Sequence, residues 1–106
     1  MKLIYDKLVR DRIPQIIIDN GDEPDYYTEA NDEAYWLKLI SKLHEEITEL
    51  SDDRSSQEMA DVIELIYTVC EFQNIDLAEV EEVRAKKKFL NGGFSKRYIL
   101  RTVNEK

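Results

Sequence analysis

The sequence predicts an all-α chain built on an antiparallel helix hairpin, with a short strand-like tail at its C-terminus. Three observations lead there. Only three glycines and two prolines interrupt 106 residues, while the strong helix formers Leu, Glu and Lys abound. Trp36, Leu39, Ile40, Leu43, Ile47 and Leu50 recur at spacings of 3, 1, 3, 4 and 3, the mark of one apolar helix face. A second apolar segment follows after a link no longer than "SDDRS", and links that short make neighbouring helices antiparallel.

The elements follow in order. A first short helix begins near Pro14, which a first turn tolerates, and runs through "QIIIDN" to Gly21, a good left-handed terminator. "DEPDYYTEAN" reads as loop. The second helix starts near Asn31 or Asp32 and ends near Asp52. Ser55 and Glu58 form an S-x-x-E capping box that opens the third helix, which continues to about Asn74. That helix is apolar on more than one side, through Met59, Val62, Ile63, Leu65, Ile66, Val69, Cys70 and Phe72. In so small a chain, some of its burial is expected to come from another subunit. Asp76 and Glu79 signal the cap of a fourth helix through "VEEVRAKKKFL", and "NGG" stops it. Tyr98 to Val103 have strand-like character, as a packed tail or a frayed end.

Length and charge narrow the function. The chain suits a single domain over residues 1–106. A net charge of −8 argues against a general nucleic-acid polymer or membrane partner, since phosphate surfaces repel it. It leaves room for a phosphorylated small molecule, because a divalent cation and a few lysines can reverse the field in a pocket. The one cysteine, Cys70, sits in an apolar run and reads as a small core hydrophobe. "MKLIYDKLVRDR" meets charge too early for a secretory signal, and no apolar run is long enough to span a bilayer. A cytoplasmic protein is expected.

Two acidic pairs stand out. Glu46 and Glu49 lie three apart in "HEEITEL", and Glu58 and Asp61 lie three apart in "QEMAD", so each pair shares a helix face. Glu46 borders the stripe of Leu39, Leu43 and Leu50, and Glu58 and Asp61 flank Leu65 and Phe72. In an antiparallel hairpin, facing residues have a constant index sum. Glu49 with Glu58 and Glu46 with Asp61 share one such sum, which places the four carboxylates in two opposed rungs. Unit charges about 4 Å apart repel by about 4 kcal/mol at an effective dielectric of 20. Such a cluster therefore calls for protonation or a hard cation, Mg²⁺ or Mn²⁺. Glutamate-rich helices are more often plain solvated faces, and Glu58 already has a capping role. Spacing alone leaves both readings open.

Cations near these acids come next. Lys42 lies one turn before Glu46, placed either for an i,i+4 ion pair or for a substrate phosphate. Lys7, Arg10 and Arg12 make a basic N-terminal patch, in which Arg10 either pairs with Asp11 or binds phosphate. Lys86, Lys87 and Lys88 close the fourth helix, where cations complement the dipole. His44 falls off the acidic face. Trp36 reads as core. Tyr26 and Tyr27 read first as loop anchors and second as base contacts.

"EEITE" followed by "EMAD" resembles the E-E-x-x-E … E-x-x-D signature of the all-α nucleotide pyrophosphohydrolase superfamily. That group includes the MazG-like proteins, the all-α dUTPases and phosphoribosyl-ATP pyrophosphohydrolase. "YDKLVRDRIPQII" and "KKKFLNGGFSKRYIL" resemble segments of its MazG-like and phosphoribosyl-ATP branch, so the likeness covers nearly the whole chain. The resemblance implies a helical bundle assembled as a homodimer or homotetramer. It implies Mg²⁺-dependent cleavage of the α–β phosphate bond of a nucleoside triphosphate, giving a monophosphate and pyrophosphate. By motif position, Glu46, Glu49, Glu58 and Asp61 would hold the metal. Glu45, turned about 100° from Glu46 on the helical wheel, would orient the attacking water. Lys87 and Lys88 match the family's basic positions before the double glycine, and join Lys42 and Arg10 as substrate-binding candidates. The gap between the two acidic motifs is shorter than in most relatives, which trims the hairpin and removes residues available there to shape a base pocket. Two alternatives stand beside this reading: phosphoribosyl-ATP pyrophosphohydrolase of histidine biosynthesis, and a non-enzymatic helical interaction module.

Overall fold

The computed structural model describes residue 3 and residues 5–105. Its described residues form four α-helices and no strand: α1 (Ile13–Asp19), α2 (Asp32–Asp52), α3 (Ser56–Phe72) and α4 (Leu77–Asn91). No helix among them is long and apolar enough to cross a membrane. The chain divides into two compact units, Met1–Val69 and Cys70–Lys106.

In the first unit, α1 has Pro14 in its opening turn, and Gly21 ends it at φ 90°. The Gly21 N–H donates to the Ile18 carbonyl, and the Asp22 N–H to that of Ile17. These bonds satisfy carbonyls that the helix end would leave bare. At the start of α2, the Asn31 side chain accepts from the Ala34 N–H at 2.9 Å, and Asp32 and Glu33 in the first turn complement the helix dipole. The apolar stripe packs inward as its period requires: Leu39 is fully buried, and Trp36, Ile40, Leu43 and Leu50 are half-buried. Ile47 departs from the pattern and stays 48% exposed. Val62 of α3 is the other buried apolar residue among the described residues of this unit.

Only Asp53, Arg54 and Ser55 link α2 to α3. The Ser55 hydroxyl accepts from the Glu58 N–H at 3.2 Å, one half of the expected capping box. The reciprocal half does not form, because the Ser55 N–H donates to the Asp53 carbonyl instead. The Glu58 side chain is thereby free to turn toward other carboxylates.

In the second unit, Cys70 is buried, as a small core hydrophobe should be. Asp76 caps α4 by accepting from the Ala78 N–H at 2.9 Å, and Gly92 stops that helix at φ 85°. The strand-like tail is corrected: residues 98–103 are irregular, with Tyr98, Ile99, Leu100 and Val103 all at least 70% exposed. Their β propensity is a local preference, and a strand needs a ladder partner that this segment lacks among the described residues.

Candidate metal centre

The four predicted carboxylates and Glu45 come together on α2 and α3. Glu45, Glu46 and Glu49 each offer a carboxylate oxygen within 4.8 Å of the others, and so do Glu46, Glu58 and Asp61. Glu46 belongs to both groups. It is also the buried charged residue among those described, at 6% exposure. Glu46 of α2 falls in one group with Glu58 and Asp61 of α3. Glu45 reaches the cluster despite its position on the wheel, because a glutamate has enough reach to swing around one helix step.

The cluster is electrostatically crowded. Repulsion from Glu46, which shares a hydrogen bond with it, pushes the Glu49 carboxyl above the usual glutamate range, and Glu58 and Glu45 add to the effect. Partial burial raises the Glu58 carboxyl, with the charges of Asp61 and Glu46 next in weight. Two buried oxygens, Glu46 Oε2 and Glu58 Oε2, have no hydrogen-bond partner. An unsatisfied buried acceptor is unfavourable by about 1–3 kcal/mol in general, so crowded carboxylates need a shared proton or a cation.

Among the described residues of the first unit, Lys42, Arg10 and Lys7 pair with these acids, and Lys38 contacts Asp6. Lys42 Nζ lies 3.2 Å from Glu46 and 3.6 Å from Glu45. Its i,i+4 ion pair is therefore made, with a second one beside it. Arg10 pairs with Asp61 at 2.6 Å, not with Asp11 as the sequence allowed. Lys7 donates to Glu45 at 3.1 Å and holds that carboxyl below its ordinary value, with Lys42 assisting. Lys38 donates to the Asp6 carbonyl at 3.2 Å. Sequence reasoning placed Lys7 in a basic patch without giving it a partner, and did not single out Lys38. Lys7 joins it across 38 residues of chain, and so distant a pairing leaves no periodic trace. The one available signal for Lys38 is its place on the α2 stripe with Lys42 and Glu45.

Lys87 and Lys88 sit exposed on α4, in the second unit. His44 is exposed and Trp36 half-buried, as expected. Tyr26 and Tyr27 are 62% and 69% exposed, so neither anchors its loop.

What the acidic set can do follows from its donors. They are all oxygens, and hard divalent cations with ligand distances of about 2.0–2.6 Å favour such donors. Carboxylates already within 4.8 Å of one another can converge on one ion by side-chain rotation alone. The two partnerless oxygens supply lone pairs that nothing else among the described residues uses.

Comparison with known proteins adds a partial likeness. No family model matches the chain, and no solved structure matches it. An uncharacterized protein of Mycolicibacterium smegmatis is 50% identical over 44 residues, which cover 42% of this chain and 44% of that protein. The chain thus matches less than half the length of that relative.

Proposed function

We propose that this chain is a Mg²⁺-dependent nucleotide pyrophosphohydrolase, which cleaves the α–β phosphate bond of a nucleoside triphosphate. The observation that carries the reading is Glu46: a buried carboxylate with one oxygen lacking a partner, set among acids from two helices. That arrangement suits a bound hard cation, whose charge would offset the crowding of the acids. The resemblance of "EEITE" and "EMAD" to the pyrophosphohydrolase signature supports the same conclusion.

In this reading α2 and α3 form an antiparallel hairpin, and Glu46, Glu49, Glu58 and Asp61 hold Mg²⁺ or Mn²⁺. The ion, when bound, lowers the pKa of water and offsets charge that develops on the phosphates. Glu45 orients the attacking water and takes its proton. The water oxygen bonds to the α phosphorus, the bond from that phosphorus to the bridging oxygen breaks, and pyrophosphate leaves. Lys42 and Arg10 exchange their carboxylate partners for phosphate oxygens. Lys87 and Lys88 are suited to phosphate by chemistry and exposure. The net charge of −8 favours a small nucleotide over a nucleic-acid polymer or a membrane, and a cytoplasmic location goes with that substrate.

Assembly as a homodimer or homotetramer is part of the proposal. Met59, Ile63 and Ile66 follow each other on one face of α3, at 46%, 40% and 42% exposure. An apolar helix face left that open is what a second copy would cover.

The alternative of a non-enzymatic interaction module draws on the ion pairs. Lys7, Arg10 and Lys42 already partner three of the acids and partly neutralise the cluster. One experiment separates the readings: pyrophosphate release from ordinary and modified nucleoside triphosphates and from phosphoribosyl-ATP, with and without Mg²⁺. The hydrolase reading expects Mg²⁺-dependent release that Glu46→Gln and Asp61→Asn each reduce at least a hundredfold. Release from phosphoribosyl-ATP alone assigns the histidine-pathway reaction. No release from any substrate leaves the interaction module.

A further inference from the structure

Beside the acidic cluster lies a cleft of a different chemical character. Asp6, Lys7, Leu8, Lys38, Ser41, Lys42 and Glu45 line it, and all belong to the first unit. Its volume is about 40 Å³, room for roughly three waters or one phosphoryl-sized group, since a single water needs about 10–15 Å³. In a chain of net charge −8, this small cleft gathers three ammonium groups against the two carboxylates of Asp6 and Glu45.

We propose that this cleft is an anion subsite, in which Lys7, Lys38 and Lys42 bind a phosphoryl group of the substrate's polyphosphate. The arrangement is built from both sides. Lys38, Ser41, Lys42 and Glu45 fall at spacings of 3, 1 and 3 on α2, so the helix presents them as one polar stripe. The N-terminal segment supplies Lys7 and Asp6 across from them. Asp6 adopts φ 46°, a left-handed conformation that Asp tolerates better than most residues. Its carbonyl accepts from Lys38 at 3.2 Å, and its carboxylate lies 3.8 Å from the same ammonium. Lys7 and Lys42 approach the same oxygen of Glu45, at 3.1 and 3.6 Å. Two cations held by one carboxylate oxygen are close enough to be bridged equally well by one phosphate.

The resting partners of Lys7 and Lys38 are replaceable. Partly exposed ion pairs such as Lys7–Glu45 and Lys38–Asp6 are worth about 0–1 kcal/mol, so a doubly charged phosphoryl group can displace them at little expense. Glu45 also borders the acidic cluster, which places the anion subsite directly beside the proposed metal centre. A polyphosphate could then lie with one phosphate at the acids and its neighbour among the lysines. The subsite deepens the pyrophosphohydrolase reading and rests on it for the identity of the ligand. Affinity for an anion is measurable without turnover.

The test titrates inorganic pyrophosphate and, separately, orthophosphate into the metal-free full chain by calorimetry, for wild type, Lys38→Gln, Lys38→Arg and the double variant Lys7→Gln/Lys38→Gln. Helical content by circular dichroism checks that each variant folds, which the partial exposure of both lysines favours. Pyrophosphate is expected to bind wild type. Lys38→Gln should weaken it at least fivefold, the double variant at least twentyfold, and Lys38→Arg should restore most of the affinity. Preference for orthophosphate over pyrophosphate would make free phosphate, not a polyphosphate, the ligand and overturn the proposal as stated. Equal affinity in wild type and double variant, or no binding by wild type at millimolar pyrophosphate, also overturns it. A parallel hydrolysis assay separates the two ideas. Lysine-dependent pyrophosphate binding without any turnover keeps the subsite and removes the hydrolase. Turnover whose KM ignores Lys7 and Lys38 keeps the hydrolase and removes the subsite.

Discussion

Arg10 donates to Asp61 at 2.6 Å across 51 residues of chain, joining the N-terminal segment to the second turn of α3. Its partner is one of the proposed metal ligands. The guanidinium and a divalent cation would therefore compete for the same carboxylate. That competition gives Arg10→Gln effects of opposite sign. Mn²⁺ affinity, read by electron paramagnetic resonance titration, should tighten two- to tenfold, while KM for the triphosphate should rise because a phosphate ligand is lost. The pair is partly solvated, with side-chain exposures of 58% and 36%, so its removal should change stability by only about 0–1 kcal/mol. Weaker Mn²⁺ binding by Arg10→Gln would show that Arg10 supports Asp61 instead of competing for it.

Glu49 and Glu58 make a second prediction, on pH. Both carboxyls lie above the ordinary glutamate value of 4.5 in the folded chain, Glu49 chiefly through Glu46 and Glu58 chiefly through partial burial. Between 4.5 and those raised values the folded state binds more protons than the unfolded state. Stability of the metal-free chain from these two groups therefore falls as pH rises through that window. Glu45 acts in the opposite sense. Its lowered value means that its ion pair with Lys7 stabilises above 4.5 and is lost as pH falls through the folded value. Thermal unfolding of the metal-free chain should thus show Tm rising as pH drops through the raised values toward 4.5 and turning down below it. Mg²⁺ should flatten the upper limb, and Glu49→Gln/Glu58→Gln should remove much of it while reducing pyrophosphate release at least a hundredfold. An upper limb identical in wild type and the double variant would place the titrating groups elsewhere.

The helices were legible in the sequence because their causes are local. Asp76, Ser55, Gly21 and Gly92 act on backbone groups within a few residues, and the α2 stripe is a periodicity any reader can count. The meeting of Glu46 with Asp61 was legible one level up, because a three-residue link leaves little freedom in register. The cations were another matter. Lys7 and Arg10 find Glu45 and Asp61 from an irregular segment with no period to extrapolate. Ile47 shows the same limit in reverse: its period points inward, yet nothing in a one-helix pattern says how far the covering residues extend.

The open face of α3 yields a third prediction. Met59, Ile63 and Ile66 are spaced to form one patch, and all three remain at least 40% exposed. If a second copy covers this face, light scattering on the eluting protein should give a dimer or tetramer mass. Ile63→Glu or Ile66→Lys should shift it toward monomer, because an interface core tolerates a lone charge poorly. A wild-type monomer at micromolar concentration, or variants that assemble unchanged, would exclude this face as the contact.

The end of α4 gives the last prediction, and it concerns two adjacent glycines with unequal roles. Gly92 has φ 85° and ψ 175°, a region of backbone space held almost wholly by glycine. Its N–H closes the helix by donating to the Lys88 carbonyl at 2.8 Å. A Cβ there would meet no atom within 4 Å, so any penalty for Gly92→Ala is one of backbone strain, about 1–3 kcal/mol, and not of collision. Gly93 has no positive φ, and a Cβ on it would meet only the Lys88 side chain at 3.9 Å, an ordinary contact. Gly93→Ala should therefore be neutral or slightly stabilising, by up to about 1 kcal/mol, through a less flexible unfolded chain. Hydrogen exchange at the α4 amides and thermal unfolding of both variants would measure the difference. Equal loss of protection in the two would mean that the double glycine is needed for closeness to another surface and not for the turn at Gly92.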